Sequence, residues 1–168
     1  MERRHFLRQA SLASAGFFVS KDLLAKPKGP VYGHNKMQYR MDAKWGKLNP
    51  QEHPVNDCHE MIQDKKGRVI LLTTATQNHI IITDKSGKLL DYWGHEFPGG
   101  HGLTLVHENG EEFLFITDIV RHQVFKTTMD GKILMTIDYP AEAGIYNKKE
   151  EFIPTETAMT ANGDFFVA

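Results

Sequence analysis

Cysteine is nearly absent: Cys58 is the single one among 168 residues, so no intramolecular disulfide can staple the fold. Neither sign of charge is in excess. Lys and Arg number 20 against 21 Asp and Glu, for a formal net charge of -1, which removes the clustered basic surplus that a nucleic-acid partner would require. There is no uninterrupted apolar run of the ~18 residues that a membrane-spanning helix needs. With 40% hydrophobic residues, the body falls among globular chains. Histidine, in contrast, is plentiful at nine residues, and where these stand matters more than how many there are.

The first residues read as an address. Arg3-Arg4-His5-Phe6-Leu7-Arg8 resembles the twin-arginine export signal. A mildly apolar stretch follows from Leu12 to Val19, diluted by Ser14 and Gly16, and then Lys21 and Lys26. A basic start, a weak apolar middle and a charged end are the order of a signal peptide. Glu2 departs from the pattern, which usually has Ser or Thr there. Residues 1–26 are assigned to the signal, with Ala25 the candidate cleavage residue. An uncleaved anchor and an amphipathic terminal helix are the alternatives. The resemblance implies the twin-arginine export machinery as a partner and a periplasmic or extracellular location. It also implies no stable membrane span once the signal is removed. Because that route carries folded proteins, it favours a chain that loads an ion before export.

Residues 27–57 are rich in turn formers and read as an irregular lead-in, with one short strand over Gln38–Met41. After them the sequence repeats. Arg68-Val-Ile-Leu-Leu-Thr73 is followed by Asn78-His-Ile-Ile-Ile-Thr-Asp84 and Gly87-Lys88-Leu-Leu90. The same order returns as Glu112-Phe-Leu-Phe-Ile-Thr117, then His122-Gln-Val-Phe-Lys-Thr-Thr128, then Gly131-Lys132-Ile-Leu134. Thr73 and Thr117 are 44 apart, as are Gly87 and Gly131. A period in the low forties made of short strands is the signature of a β-propeller. The fold class is therefore all-β, with blades at 58–98 and 99–142. In the second blade the strands are expected at Gly102–His107, Glu112–Thr117, Gln123–Thr127 and Ile133–Ile137, with Asn109-Gly110 as a tight turn. Continuously apolar runs such as Val69 to Leu72 suit strands covered on both faces. Trp93-Gly94 is placed to pack between blades. Residues 143–168 are expected to hold an insertion loop and the first two strands of a third blade, with Ala168 matching Thr117. The chain thus reads as about two and a half blades, the N-terminal piece of a longer propeller. A small open β-sheet is the alternative.

His59 and His101 each open the innermost strand of their blade, in Cys58-His59-Glu60-Met61 and Gly100-His101-Gly102-Leu103. Innermost strands line a propeller's axis, so equivalent imidazoles converge there, and imidazole is a zinc ligand. Hydrogen bonding at the rim is the structural alternative for both. Of the other histidines, His79 and His122 are expected to face solvent or cap turns, and Cys58 to be a buried, inert thiol. Asp118 and Thr74 are matched after the second strands, where Asp usually accepts from the amides of the next turn.

The stretch Phe97-Pro-Gly-Gly-His101-Gly-Leu-Thr-Leu-Val, continuing through Phe115-Ile-Thr-Asp118-Ile-Val-Arg-His122-Gln-Val-Phe-Lys126, resembles NHL-repeat propellers. It is similar in particular to peptidylamidoglycolate lyases. Phe152-Ile-Pro154-Thr155 through Phe165-Phe-Val-Ala168 resembles the next blade of that family, and the likeness covers roughly residues 58 to 168. The resemblance implies a six-bladed propeller with an axial zinc ion held by three histidines and a structural calcium. It makes His101 a zinc ligand and the main-chain carbonyls of Met61 and Leu103 calcium ligands. It does not cover His59, which only the repeat geometry adds. The family's remaining histidines, its catalytic tyrosine and its calcium-binding aspartate correspond to positions after 168. The family carries a functional arginine where Thr74 stands here, and a hydroxyl does not replace a guanidinium that grips an anion. The expected function is a metal-dependent lyase acting on a small molecule or peptide. The alternative is a non-catalytic periplasmic propeller that binds a peptide, glycan or partner protein. A sugar-ring dehydrogenase on a similar propeller has no motif here.

Overall fold

A computed structural model describes residues 29–168; the expected signal, residues 1–26, lies outside the described residues. The chain divides into two units at Ala43 and Lys44. In the first, β1 (Val31–His34) and β2 (Met37–Arg40) form an antiparallel hairpin. Asn35 turns it at φ 52, in the left-handed region that asparagine tolerates. β2 is the strand expected at Gln38–Met41, begun one residue earlier. β1 was not expected, since Gly33 and His34 dilute the apolar alternation of a strand. All eight residues of the two strands are exposed.

The second unit carries two four-stranded antiparallel meanders and a final strand pair. The first sheet has β3 (Met61–Gln63), β4 (Val69–Leu72), β5 (Ile80–Thr83) and β6 (Leu89–Trp93) in sequential order. The second has β7 (Gly100–Glu108), β8 (Glu111–Asp118), β9 (Gln123–Thr128) and β10 (Ile133–Ile137), again in order. β11 (Thr157–Met159) pairs with β12 (Phe165–Val167). Between the second sheet and this pair lie two 3-10 turns, Ala141–Ala143 and Lys149–Glu151. The fold is all-β, with no α-helix among the described residues, and its four-stranded meanders are compatible with propeller blades. Asn109 at φ 51 and Gly110 at φ 85 make the two-residue turn whose twist suits a hairpin.

The two sheets stack face to face. Ile70, Leu72, Ile80 and Ile82 of the first meet Leu103, Leu114, Ile116 and Phe125 of the second in one dry cluster. The opposite face of the second sheet, with Val106, Phe115 and Val124, is covered by Phe152, Phe165 and Val167 from the chain that follows. Both faces of β8 are thus buried, which is why its middle, Phe113 to Ile116, is continuously apolar. On the first sheet, the face carrying Val69, Leu71 and Ile81 is roofed by Trp45, Leu48 and Pro50, leaving an apolar cavity of about 330 Å³.

The register corrects the repeat alignment at one strand. The amide of Thr74 donates to Asn56 O at 2.9 Å, and its counterpart is the amide of Ile119 donating to Gly99 O at 2.9 Å. Thr73, not Thr74, therefore matches Asp118, one residue away from the 44-residue offset. The faces agree: Ile70 and Leu72 look from the first sheet toward the second, and Phe115 and Thr117 look from the second toward the third pair. A one-residue slip exchanges the two faces of a strand, so matching Thr73 to Thr117 would have turned β8 inside out. The original offset returns in the third strand, where Leu72 pairs with Ile80 and Thr117 with Val124. Asp118 does what was expected of it. It is fully buried, and its carboxylate accepts from the amides of Gly99 at 3.1 Å, Val120 at 2.9 Å and Arg121 at 2.7 Å.

A lock between successive repeats was only half legible. Gly131 turns the chain between β9 and β10 at φ 92, and a Cβ there would lie 2.7 Å from the Trp93 ring. Gly87 turns it between β5 and β6 at φ 79, where a Cβ would lie 1.7 Å from Trp45 O and 3.2 Å from its ring. Trp45 Nε1 also donates to Lys85 O at 2.9 Å. Each repeat's glycine turn is thus seated against a tryptophan that precedes that repeat. Trp45-Gly46 thus repeats Trp93-Gly94 inside the lead-in expected to be irregular, where nothing else in the sequence repeats.

Candidate functional site

Three strands bring the candidate residues together. β7 lies beside both β3 and β11. The three share one register, with Met61 opposite Leu71, Leu103 opposite Ile116 and Thr157 opposite Val167. The amide of Leu72 donates to Glu60 O at 3.1 Å, as that of Ala168 donates to Glu156 O at 3.0 Å. His59, His101 and Thr155 are therefore equivalent, and so are Glu60, Gly102 and Glu156. An irregularity in β7 between Gly100 and Leu103 has the form of a bulge, a device that redirects a side chain at a sheet edge.

The two predicted histidines do come together. The rings of His59 and His101 stack with centroids 4.0 Å apart and planes 24° from parallel. His101 is half-buried and His59 exposed. His101 Nδ1 lies 3.0 Å from Thr155 O. A carbonyl only accepts, so Nδ1 carries the proton and Nε2 of the neutral ring holds the lone pair.

Glu60 and Glu156 were not singled out in the sequence. Glu60 Oε2 accepts from the Leu103 amide at 2.6 Å. Glu156 Oε1 accepts from the Thr157 amide and the Thr104 hydroxyl, each at 2.8 Å. Burial raises the Glu60 carboxyl, and a hydrogen bond to Glu156 and that residue's charge raise it further, against the pull of the Leu103 amide and His101. Burial also works to raise Glu156, but its hydrogen bonds from Glu60, Thr157 and Thr104 outweigh this and hold it below the usual carboxylate range. Of the two carboxyls, Glu60 is thus the one pushed up and Glu156 the one held down. Their equivalence was hidden because the position between them in the repeat is a glycine.

That glycine is required. A Cβ on Gly102 would stand 2.6 Å from Thr155 O, 2.9 Å from Glu156 Cα and 2.9 Å from Thr117 Oγ1, and two of these are backbone atoms. Gly102→Ala is expected to destabilise the chain by about 1–3 kcal/mol, read by chemical denaturation against Gly46→Ala. Like Gly102, Gly46 lacks a positive φ, and a Cβ there meets nothing within 4 Å, so that control reports a glycine-to-alanine change without the clash.

The imidazoles are donors of the kind zinc takes, and two are half of a closed tetrahedral set. Among the described residues, no group of three or more His, Cys, Asp or Glu is arranged to hold a metal. Met61 and Leu103, whose carbonyls are the expected calcium ligands, occupy matched places on adjacent strands, Met61 exposed and Leu103 fully buried. Carbonyl oxygens are donors of the type calcium prefers.

Other expectations change. His79 does not face solvent: it is 1% exposed, its Nδ1 accepts from the Phe97 amide at 2.8 Å, and burial pushes its pKa down. Its neighbour in space, Phe97, comes from the junction between sheets, a tertiary contact that local spacing does not reveal. His122 is left-handed at φ 58 and donates from Nδ1 to Phe152 O at 2.7 Å, tying the turn before β9 to the chain that follows the second sheet. Cys58 is exposed rather than buried, because it lies ahead of β3 where the sheet has not begun. Thr74 is engaged with Asn56 Nδ2 at 3.0 Å and Asp57 Oδ2 at 3.2 Å. Neither it nor Ile119, its true counterpart, supplies a guanidinium. The two described arginines nearest in sequence are held elsewhere: Arg68 pairs with Asp64 at 2.6 Å, and Arg121 donates to Glu96 O at 3.0 Å while covering Phe125.

No known family profile matches the chain. Over 89 residues it is 38% identical to peptidyl-alpha-hydroxyglycine alpha-amidating lyase 1 of Drosophila melanogaster. The aligned stretch is 49% of this chain and 15% of that protein. The likeness is that of a distant homologue over a small part of a much longer chain.

Proposed function

We propose that this chain belongs to an exported NHL-type β-propeller with lyase activity on peptidyl-α-hydroxyglycine or a related hydroxylated amide, and that His101 and His59 are zinc ligands at its axis. The observation that carries the reading is the pair of stacked imidazoles opening two adjacent innermost strands, one with its lone pair fixed on Nε2. The distant homologue supports the reaction class. When bound, zinc would supply Lewis-acid polarisation of a substrate hydroxyl. The chain's own part is to present His101 Nε2 and to set His59 against that ring, with the carboxyls of Glu60 and Glu156 beside them. The carbonyls of Met61 and Leu103 would hold a structural calcium from the adjoining strand positions.

The first test is metal content after purification and dialysis. Zinc is expected at stoichiometric level in the wild-type protein and lost in His101→Ala, with the melt little changed. Zinc that survives His101→Ala overturns the assignment of that ligand. The export half of the reading predicts that replacing Arg3 and Arg4 with lysine leaves the protein in the cytoplasm, checked by fractionation.

A second reading is favoured by Thr74. The position where the resemblance requires an arginine holds a hydroxyl tied to Asn56 and Asp57. On that reading the propeller binds a peptide, glycan or partner protein without chemistry. It is adopted if the wild-type protein takes up no zinc.

A further inference from the structure

We propose that the third strand pair, β11 and β12, is the positioning element of His101, and that it acts by fixing which ring nitrogen carries the proton. The proposal rests on the reading of His101 as a ligand, but it concerns residues outside that reading.

A free neutral imidazole side chain favours the tautomer with its proton on Nε2, which would point an N–H where a ligand needs a lone pair. Here the carbonyl of Thr155 stands 3.0 Å from Nδ1 and imposes the other tautomer. That carbonyl belongs to the third pair, 54 residues along the chain, and its place is held from several sides. The amide of Thr155 donates to Ala168 O at 2.7 Å. Glu156, the next residue, is tied to β7 through the Thr104 hydroxyl at 2.8 Å. Thr104 Oγ1 also lies 2.9 Å from Thr157 O and 2.6 Å from Thr157 Oγ1. Gly102 leaves the space through which the carbonyl reaches the ring. On the other flank, Glu60 pins the amide of Leu103, two residues beyond His101, at 2.6 Å. The first sheet thus holds the strand that bears His101, and the third pair holds its ring. Partners of this outer kind orient a histidine and raise its strength as a ligand, and losing one typically costs ~10–100-fold in metal affinity.

The test is imidazole nitrogen NMR on the full chain, metal-free, at about pH 8, above the ordinary histidine pKa of ~6.5. His101→Gln identifies the His101 signals by their loss. The wild-type protein is expected to show His101 protonated at Nδ1 and bare at Nε2. Thr104→Val and Glu156→Ala are expected to return it toward the Nε2–H form, with the fold checked by circular dichroism. Glu156→Gln keeps an acceptor for Thr104 and Thr157 and is expected to retain the wild-type tautomer. Zinc chloride titrated into the same samples is expected to shift Nε2, with about 10–100-fold weaker affinity in Thr104→Val. An Nε2–H tautomer in the wild-type protein overturns the proposal, even if every variant unfolds. So does an unchanged tautomer in folded Thr104→Val and Glu156→Ala. If the tautomer behaves as stated but zinc leaves Nε2 unmoved, the positioning role stands and the metal reading of the site falls.

Discussion

Phe97→Ala is expected to lower the stability of the chain by about 3–5 kcal/mol, the usual cost of emptying a buried phenylalanine site. Phe97 is fully buried although it lies outside any strand. It sits in the junction between β6 and β7, where its ring meets Phe125 of the second sheet at 5.2 Å and Trp93 of the first at 6.4 Å, both edge-on. Its amide is also the donor that satisfies the buried His79 Nδ1. Truncation removes the wedge between two sheets and leaves a hole bounded by aromatic rings that belong to different strands, so collapse around it is limited. At roughly 2–4 °C per kcal/mol for a chain of this size, the melting temperature should fall on the order of 10 °C. Leu90→Ala, at a residue 49% exposed on β6, should move it little. A Phe97→Ala melt within 2 °C of wild type, at about the resolution of such a comparison, would mean that the two sheets do not share a core.

Asp118→Ala is expected to cost about 3 kcal/mol or more. The carboxylate is fully buried and takes three amide protons, Gly99 on one oxygen and Val120 and Arg121 on the other. Leaving a buried donor without an acceptor costs about 1–3 kcal/mol each, and here three are orphaned together, offset by whatever water enters the space. Asp118→Asn separates charge from hydrogen bonding. Its carbonyl can still serve Val120 and Arg121, but its amide nitrogen would face the Gly99 donor. An intermediate loss is therefore expected, read by urea denaturation of the three proteins in parallel. Equal losses for Ala and Asn would place the whole effect on the Gly99 bond and its turn.

The repeat is legible because β4 and the middle of β8 are sandwiched and must be apolar, and because the glycine turns demand positive φ. The exact match along β4 and β8 is not. Thr73 resembles Thr117 by letter, yet its counterpart by hydrogen bonding is Asp118. Both threonine and aspartate can accept from an amide at this corner: Thr73 Oγ1 accepts from Asn56 at 2.8 Å, as Asp118 does from Gly99. His59 and His101 were placed together from the repeat alone, and their rings do stack. Glu60 and Glu156 were passed over because each looks like an ordinary surface glutamate in its own strand. Only the packing of three strands around Gly102 brings them into contact. Trp45 was missed for a related reason, since its partner Gly87 is supplied by a turn in the sheet that follows.

The tryptophan locks have a consequence for how such a chain can change its length. In each lock the two halves lie on opposite sides of a repeat boundary: Trp93 leaves the first sheet and seats the Gly131 turn of the second, while Trp45 comes before the first sheet and seats its Gly87 turn. A gene duplication that copies one whole unit, glycine turn and closing tryptophan together, hands the new copy a tryptophan on its leading side and offers another to the unit behind it. The joint is remade at both ends by the same event that adds the unit. A duplication that copies a glycine turn without a tryptophan leaves one turn without its ring. Growth by whole units is therefore the insertion this architecture tolerates, because each unit carries the means of fastening its successor.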